Sequence, residues 1–489
     1  MKICTKWKTQ IGSVAMVLWL TACQQTTVPL NSQITLPTAF DQAQTTQDST
    51  EITQWWHNWQ DAVLSQLIEQ GLAQGHDVQI AQSRLQEARA INRLAQAELG
   101  VSVGATGLLG VSKSRIDNPL NSDARAMLAQ YPQAAALSSD KLGMGSNRFV
   151  MGGMTASWEA DVFGQKRSDA DAARYAALGV QEQVYGAQLL LAGEIAQAYV
   201  QARATQAREH SVKNSIMALQ RLLRYAKGRF QAGQATAYDV NQVNIQLSAM
   251  QAKLSTLQAE YAVYVRQLAV LTGQIPQGFI LPNATNDILA RIPNAPSGQT
   301  PQGMLERRPD IRALNAQVQA KAAQFASAKA DLLPRFSIEF MGQGGRINVN
   351  SNSGLTGWGS LLSLGIQIPI FSNGRIQANI AAADARLQTA LLQYDQAILT
   401  ALGEVDNAYQ SYHALQQQTT LLQTAYRQAA QLAVDANKLF QYGNQTLDKA
   451  LEARLNQEQI RESLIQSRLT HAQTLIRLYQ ALGGGWQSG

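Results

Sequence analysis

The chain has 489 residues, 45% of them apolar and only 15% charged, a length that ordinarily means two to four globular domains. Its two cysteines, Cys4 and Cys23, both lie in the extreme N-terminal segment, which excludes a disulfide framework. Forty basic against 34 acidic residues give +6, and removing residues 1–22 with Lys2, Lys6 and Lys8 leaves 6 − 3 = +3; with no basic run, nothing points to nucleic acid.

The chain opens on a targeting signal. Lys2, Lys6 and Lys8 precede a short apolar stretch, Ile11 to Ala22. A bilayer-spanning helix needs about 20 apolar residues, so this one reads as a cleaved signal. Leu20-Thr21-Ala22-Cys23 resembles a bacterial lipobox, which implies cleavage before Cys23 and acylation of that residue. Gln24 follows where an aspartate would imply inner-membrane retention, so the resemblance implies outer-membrane sorting. Thiol catalysis is then excluded, because the mature chain's single cysteine carries the lipid.

Two strand-like segments come next, and two more follow in the second half. Val101, Val103, Ala105, Leu109 and Val111 alternate with small or polar residues; Val150, Met154, Ala156, Trp158, Ala160 and Val162 do the same. Phe336, Ile338 and Phe340, then Leu362, Leu364, Ile366 and Ile368, repeat the pattern. Alternation over about ten residues is the signature of a membrane barrel strand, with Trp158 and Trp358 suited to interfacial girdles. A soluble β-sandwich edge is the alternative. The connecting stretches 112–147 and 343–357, rich in Gly, Asn and Ser, are expected to be exposed loops. Four strands cannot close a barrel; two chains would supply eight with a filled interior, and three would supply twelve with an open lumen.

Long helices are expected between these segments. Six of the twelve prolines fall between Pro276 and Pro309, while 133–275 and 370–489 contain none. Helices of roughly 95 Å are expected from about Ser168 to Phe230 and from about Ile376 to Phe440. Leu387, Leu391, Tyr394, Ile398, Leu402, Val405, Tyr409 and Tyr412 form a packing seam, as do Tyr185, Leu189, Ala192, Ala196 and Tyr199. The chain is duplicated: Phe230 to Thr236 matches Phe440 to Thr446 as Phe-Gln-x-Gly-x-x-Thr, and Gly193 to Tyr199 matches Gly403 to Tyr409 at the same offset. Gly233 and Gly443 are placed at hairpin turns, where positive φ is required. The histidines His57, His76, His210, His413 and His471 show no ligand spacing, so no enzyme and no metal are expected.

These features together resemble the outer membrane factors, the TolC-like channels, in the lipoprotein branch serving resistance-nodulation-division efflux pumps. The carrying residues are Trp55-Trp56, Ser157 to Gly164, Arg307-Arg308-Pro309-Asp310-Ile311-Arg312-Ala313, and Leu478 to Trp486. The resemblance implies a mainly α fold with a membrane β-barrel: long helical hairpins form a periplasmic tunnel, and four strands per chain contribute to a twelve-stranded trimeric barrel. On this reading residues 1–22 are signal, 23–60 a lipidated segment, 61–275 the first repeat, 276–309 a proline-rich connector and 310–489 the second repeat. The implied function is the passive outer-membrane duct of a tripartite efflux system. The implied partners are two further copies, a periplasmic adaptor and an inner-membrane pump. Type I protein secretion shares the architecture, and a structural coiled-coil lipoprotein is the different-class alternative.

The resemblance also implies a periplasmic gate at the tips, with no cofactor beyond the lipid on Cys23. Glu452 matches the family's tip aspartate, Asp448 lies one turn earlier on the same face, and Phe440 stands where relatives carry Tyr. Asp239 matches a latch aspartate, although Thr236-x-x-Asp239 also reads as a capping box. Glu159, Asp161 and Glu339 are the acids expected to face the lumen higher up.

Overall fold

The computed structural model describes residues 32, 34–41, 49–134, 137–139, 141–284, 286–349 and 355–486. Cys23 and the signal lie outside the described residues. After a 3-10 turn at Trp55–Trp59, the first repeat runs α1 (Ala62–Gln74), α2 (His76–Ala97), β1 (Ser102–Asp117), α3 (Ser122–Ala129), β2 (Lys141–Ala160), α4 (Gln165–Gln231) and α5 (Ala237–Leu271). The second runs α6 (Pro301–Arg307), α7 (Pro309–Ala330), β3 (Arg335–Val349), β4 (Leu355–Gln367), α8 (Arg375–Gln441) and α9 (Leu447–Ala481).

The duplication is reproduced element by element. α4 and α8 have 67 residues each, α5 and α9 have 35 each, and α2 and α7 have 22 each. Helix starts differ by 375 − 165 = 210 and strand starts by 335 − 102 = 233. The first β-hairpin is therefore longer by 233 − 210 = 23 residues, and α3 lies in that extra length.

One compact unit comprises Ala90–Arg174 and Ala320–Leu387 among the described residues. Its sheet is antiparallel in the order β1-β2-β3-β4. The register pairs Val103 with Ala156, Ala156 with Phe340 and Phe340 with Leu362. Because side chains alternate along a strand, this one register places the alternating apolar residues named for the four expected strands on one face wherever they fall within β1–β4. The strands are longer than the alternation suggested. Residues 112–117, 141–147, 343–349 and 355–357 are strand, not loop. Glycine misled the reading because in a sheet it marks close backbone approach as well as turns. A Cβ on Gly345 would stand 2.5 Å from the Val150 carbonyl, and one on Gly110 would stand 2.2 Å from the Phe149 ring.

Where β2 ends, Asp161 accepts from the amides of Lys166 (3.1 Å) and Arg167 (2.9 Å), satisfying the open first turn of α4. It is thus a helix cap. Glu159, on the polar face, pairs with Lys166 at 3.4 Å.

The second unit comprises Leu30–Arg89, Tyr175–Gln319 and Gln388–Gly489. Both expected seams are in its core: Ala192, Ala196, Tyr199, Ile398, Val405, Tyr409 and Tyr412 are buried. Alanines at 192, 196, 202 and 204 are sealed completely, so neighbouring helices approach closely there. Trp55 stacks on Tyr479 with ring centroids 5.2 Å apart and meets Trp56 edge-on at 6.0 Å. The proline-rich connector is held by carbonyls, the one backbone group proline retains for hydrogen bonding. Tyr409 donates to the Pro296 carbonyl (2.7 Å), Tyr412 to that of Pro293 (2.9 Å), and Arg203 to that of Pro282.

Arg308 ties the second repeat together. It donates Nε and Nη2 to the two Asp310 oxygens (3.0 and 2.7 Å), and Nη1 to Glu404 on α8 (2.8 Å) and to the Ala481 carbonyl ending α9 (3.1 Å). Burial pushes the Asp310 carboxyl up, but the Arg308 bonds outweigh it and hold the group below the usual carboxylate range. The Arg-Arg-Pro-Asp motif is therefore architectural: Pro309 opens α7, where its missing N–H costs nothing.

Candidate functional site

Three places are candidates for function: the two helical turns, the packing between the hairpins, and the two sheet faces. Both turns close in the same way. Gly233 N–H donates to the Phe230 carbonyl (3.0 Å) and Gln234 N–H to that of Arg229 (2.8 Å). Gly443 and Asn444 repeat this with Phe440 (3.0 Å) and Leu439 (2.9 Å). This is the Schellman pattern, with φ of +70° at Gly233 and +75° at Gly443. No atom lies within 4 Å of a Cβ built at either position, so the demand for glycine is purely conformational. Gly233→Val and Gly443→Val should each cost roughly 1–3 kcal/mol of local strain and reduce export while assembly stays near normal. Export equal to the parent in both variants would show that turn geometry does not matter to transport.

The two tips differ beyond the turn. Thr236 and Asp239 form a full capping box: the Asp239 carboxylate accepts from Thr236 N–H at 2.8 Å, and Thr236 Oγ1 accepts from Asp239 N–H at 3.3 Å. These bonds hold the Asp239 carboxyl below its ordinary range. The counterpart of Asp239, 210 residues on, is Lys449, and Thr446 makes no capping side-chain bond. Lys449 pairs instead with Glu452 at 2.8 Å. Asp448 and Glu452 are one turn apart on α9 as expected, Asp448 half-buried and Glu452 exposed. Sequence reasoning missed that a lysine between them offsets part of their charge. Phe440 is half-buried and supplies the carbonyl that closes its turn.

The hairpins of one chain are packed together. Leu219 and Leu222 of α4, Val243 of α5 and Leu451 of α9 form one cluster. Further along α9, Glu462 accepts from Arg208 of α4 (3.2 Å) and from Lys253 of α5. Glu458, its side chain nearly fully buried, accepts from Ser211 Oγ (2.7 Å) and lies 3.2 Å from Arg454 and 3.8 Å from Arg461. Reading acids only near the turn overlooked this pair; their signal was the Arg454, Glu458, Arg461, Glu462 spacing.

On the sheet, Trp158 and Trp358 lie on the apolar face. Trp158 pairs with Ile338, and Trp358 with Gly344 on the same strand, six residues away or about 20 Å. The opposite face carries Ser102, Ser157, Glu339 and Ser363 in one row. Further along, that face turns apolar, with Leu108, Met151, Met341 and Leu361 beside a hollow of about 620 Å³ floored by Gly345, Gly357 and Gly359. Among the described residues no cluster of three or more His, Cys, Asp or Glu could hold a metal ion, and no helix is long and apolar enough to cross a membrane.

The pattern of the outer membrane efflux proteins matches residues 67–274 and 300–484, one stretch in each repeat. The chain belongs to that family. It is 27% identical over 481 residues to the pyoverdine export outer membrane protein OpmQ of Pseudomonas aeruginosa, covering 98% of this chain and 97% of that one. It is 25% identical over 447 residues to the cation efflux system protein CusC of Escherichia coli, covering 88% of each. Among solved structures, the outer-membrane channel OprN superposes with a TM-score of 0.74 at 24% identity, covering 94% of this chain and 98% of OprN. The open MtrE channel of Neisseria gonorrhoeae gives 0.72 at 21%, covering 93% and 97%. At these identities the structures establish the fold. Membership places the chain in the outer membrane as an efflux protein, within a family of channels and not of enzymes.

Proposed function

We propose that three copies close into a twelve-stranded barrel whose lumen continues into a tunnel of helical hairpins, forming the passive exit duct of a tripartite efflux system for drugs and other toxic compounds. The observation that carries this is the register of the sheet. It gathers the alternating apolar residues of all four strands on one face, with two tryptophans about 20 Å apart, close to the ~25 Å band of outer-membrane barrels. It also leaves β1 and β4 as edges, which lipid does not tolerate unpaired. The helices offer matching faces. Tyr238, Ile245, Val263 and Val270 lie exposed along a heptad seam of α5, and Leu421, Leu432 and Leu439 lie exposed on α8. Apolar rows of this size call for cover by other copies. A periplasmic adaptor and an inner-membrane pump of the resistance-nodulation-division type complete the path. Deleting the gene and measuring intracellular accumulation across a panel of toxic compounds, with co-purification of an adaptor, tests this; unchanged accumulation throughout would overturn it.

The lipid belongs on Cys23. Cys23→Ala should abolish palmitate labelling and leave unprocessed or misprocessed protein, while barrel closure, a separate force, persists. Labelled acyl chains on the variant would overturn the tether.

Asp448 and Glu452 line the narrow end. Repeated three times, their carboxylates concentrate cations at the pore mouth, with Lys449 reducing that field. Reconstituted channels should be weakly cation-selective and blocked by multivalent cations from the periplasmic side. The Asp448→Ala, Glu452→Ala double variant should lose most of that block; unchanged block and selectivity would place the gate elsewhere.

A further inference from the structure

The internal duplication lets each hairpin be compared with the other, and one difference between them falls on an exposed helix face. On the last third of α4, Lys213, Arg221, Arg224 and Lys227 are all exposed. Their counterparts on α8, 210 residues on, are Gln423, Gln431, Val434 and Asn437. All four cations are thus lost in a helix of the same length ending in the same turn. No Asp or Glu occurs between His210 and Tyr238, and apart from the Lys213–Glu209 pair at 2.6 Å these cations have no carboxylate partner among the described residues.

A second difference falls on the same stripe. Gly228 lies with Met217, Arg221 and Arg224 at i, i+4, i+7 and i+11, a single helix face. Glycine weakens a helix interior, and here its φ is not positive and nothing lies within 4 Å of a built Cβ. Its counterpart is Lys438, so the turn does not require it either. Nothing among the described residues accounts for a glycine at this exposed place; a second backbone approaching from outside would.

We infer that this face of α4 docks an acidic α-helix of the periplasmic adaptor, its backbone seated at Gly228 and its carboxylates on Arg221, Arg224 and Lys227. This rests on the adaptor reading above and adds the chemistry of recognition. A neighbouring copy is the poorer occupant. The faces suited to joining copies are the apolar ones on α5 and α8, whereas charge is depleted from the core of permanent interfaces. An unpaired cationic stripe fits a partner steered and selected by charge.

The test uses whole cells. A photo-crosslinking amino acid placed at Met217, which is exposed at the other end of the stripe and leaves Gly228 in place, and separately at its counterpart Arg427, is activated in otherwise unaltered protein and in the triple variant Arg221→Glu, Arg224→Glu, Lys227→Glu. Position 217 should capture the adaptor through a helical segment carrying an excess of Asp and Glu. The triple variant should lower capture about tenfold or more, with assembly unchanged, and position 427 should be insensitive to it. Capture of another copy of this chain, of a neutral or basic segment, or equal capture in the triple variant would overturn the inference. Loss of assembly in the triple variant would also overturn it, because the stripe would then join copies. Absence of any adaptor crosslink at both positions, together with no adaptor co-purifying, would instead bring down the tripartite reading and this inference with it.

Discussion

Trp55→Ala should destabilise the helical unit by about 3–5 kcal/mol, the usual cost of emptying a large aromatic site. Trp55 is completely buried, and its ring stacks nearly parallel to Tyr479 while presenting an edge to Trp56. The cavity would open where the N-terminal 3-10 turn meets the end of α9, so the two ends of the described chain would lose their common anchor. Trp55 Nε1 has no hydrogen-bond partner among the described residues. Trp55→Phe therefore forfeits ring area but no polar bond, and it should cost less than half as much as the alanine variant. Because a membrane assembly unfolds irreversibly, the readout is the temperature of dissociation in detergent and the lifetime under trypsin. If phenylalanine costs as much as alanine, the indole N–H has a partner and the packing account of this site is wrong.

The second large effect depends on pH. His471 is buried in α9, with neither ring nitrogen hydrogen-bonded among the described residues, 4.6 Å from the Tyr412 ring. Burial disfavours its charged form and lowers its pKa from 6.5 to about 4. The unfolded chain therefore binds more protons than the folded one between those values, so stability should fall as pH drops from about 6.5 toward 4. The shift corresponds to on the order of 3 kcal/mol per chain. Glu182 and Glu194 act with the opposite sign, since burial raises both, Glu182 against the pull of Arg312 and Glu194 with help from Asp77. The clean measurement is a difference: dissociation temperature against pH for the parent and for His471→Phe. The phenylalanine variant should flatten the slope between pH 6.5 and 4. Parallel curves would mean that His471 is solvated or paired in the assembled protein.

Long-range order was readable from the residues because it is repetitive. Proline-free stretches, the 4,3 spacing of Leu387 to Tyr412 and the matched Gly233 and Gly443 placed α4, α8 and both turns to within a few residues. The alternation of Phe336, Ile338 and Phe340 predicted the apolar sheet face that the register assembles. What escaped was decided by neighbours distant in sequence. Gly344 and Gly345 read as loop residues because their close neighbours, the Trp358 Cβ and the Val150 carbonyl, come from other strands. Asp161 read as a strand residue, since capping depends on where β2 stops, a boundary that alternation does not mark. At the second tip, proximity to the turn drew attention to Asp448 and Glu452, whereas the acids that join the hairpins, the buried Glu458 and the half-buried Glu462, lie farther along α9. Their partners Ser211, Arg208 and Lys253 lie more than 200 residues earlier.

The central claim is that four strands per chain become a duct only when three chains close together. The most direct measurement is the native mass of the protein extracted from outer membranes in mild detergent and kept unheated. The account predicts one species of three chains, each of 53.2 kDa less its signal. It also predicts that this species collapses to single chains on heating. One chain, whose β1 and β4 edges stay open, or two chains, whose eight strands leave no lumen, would contradict it.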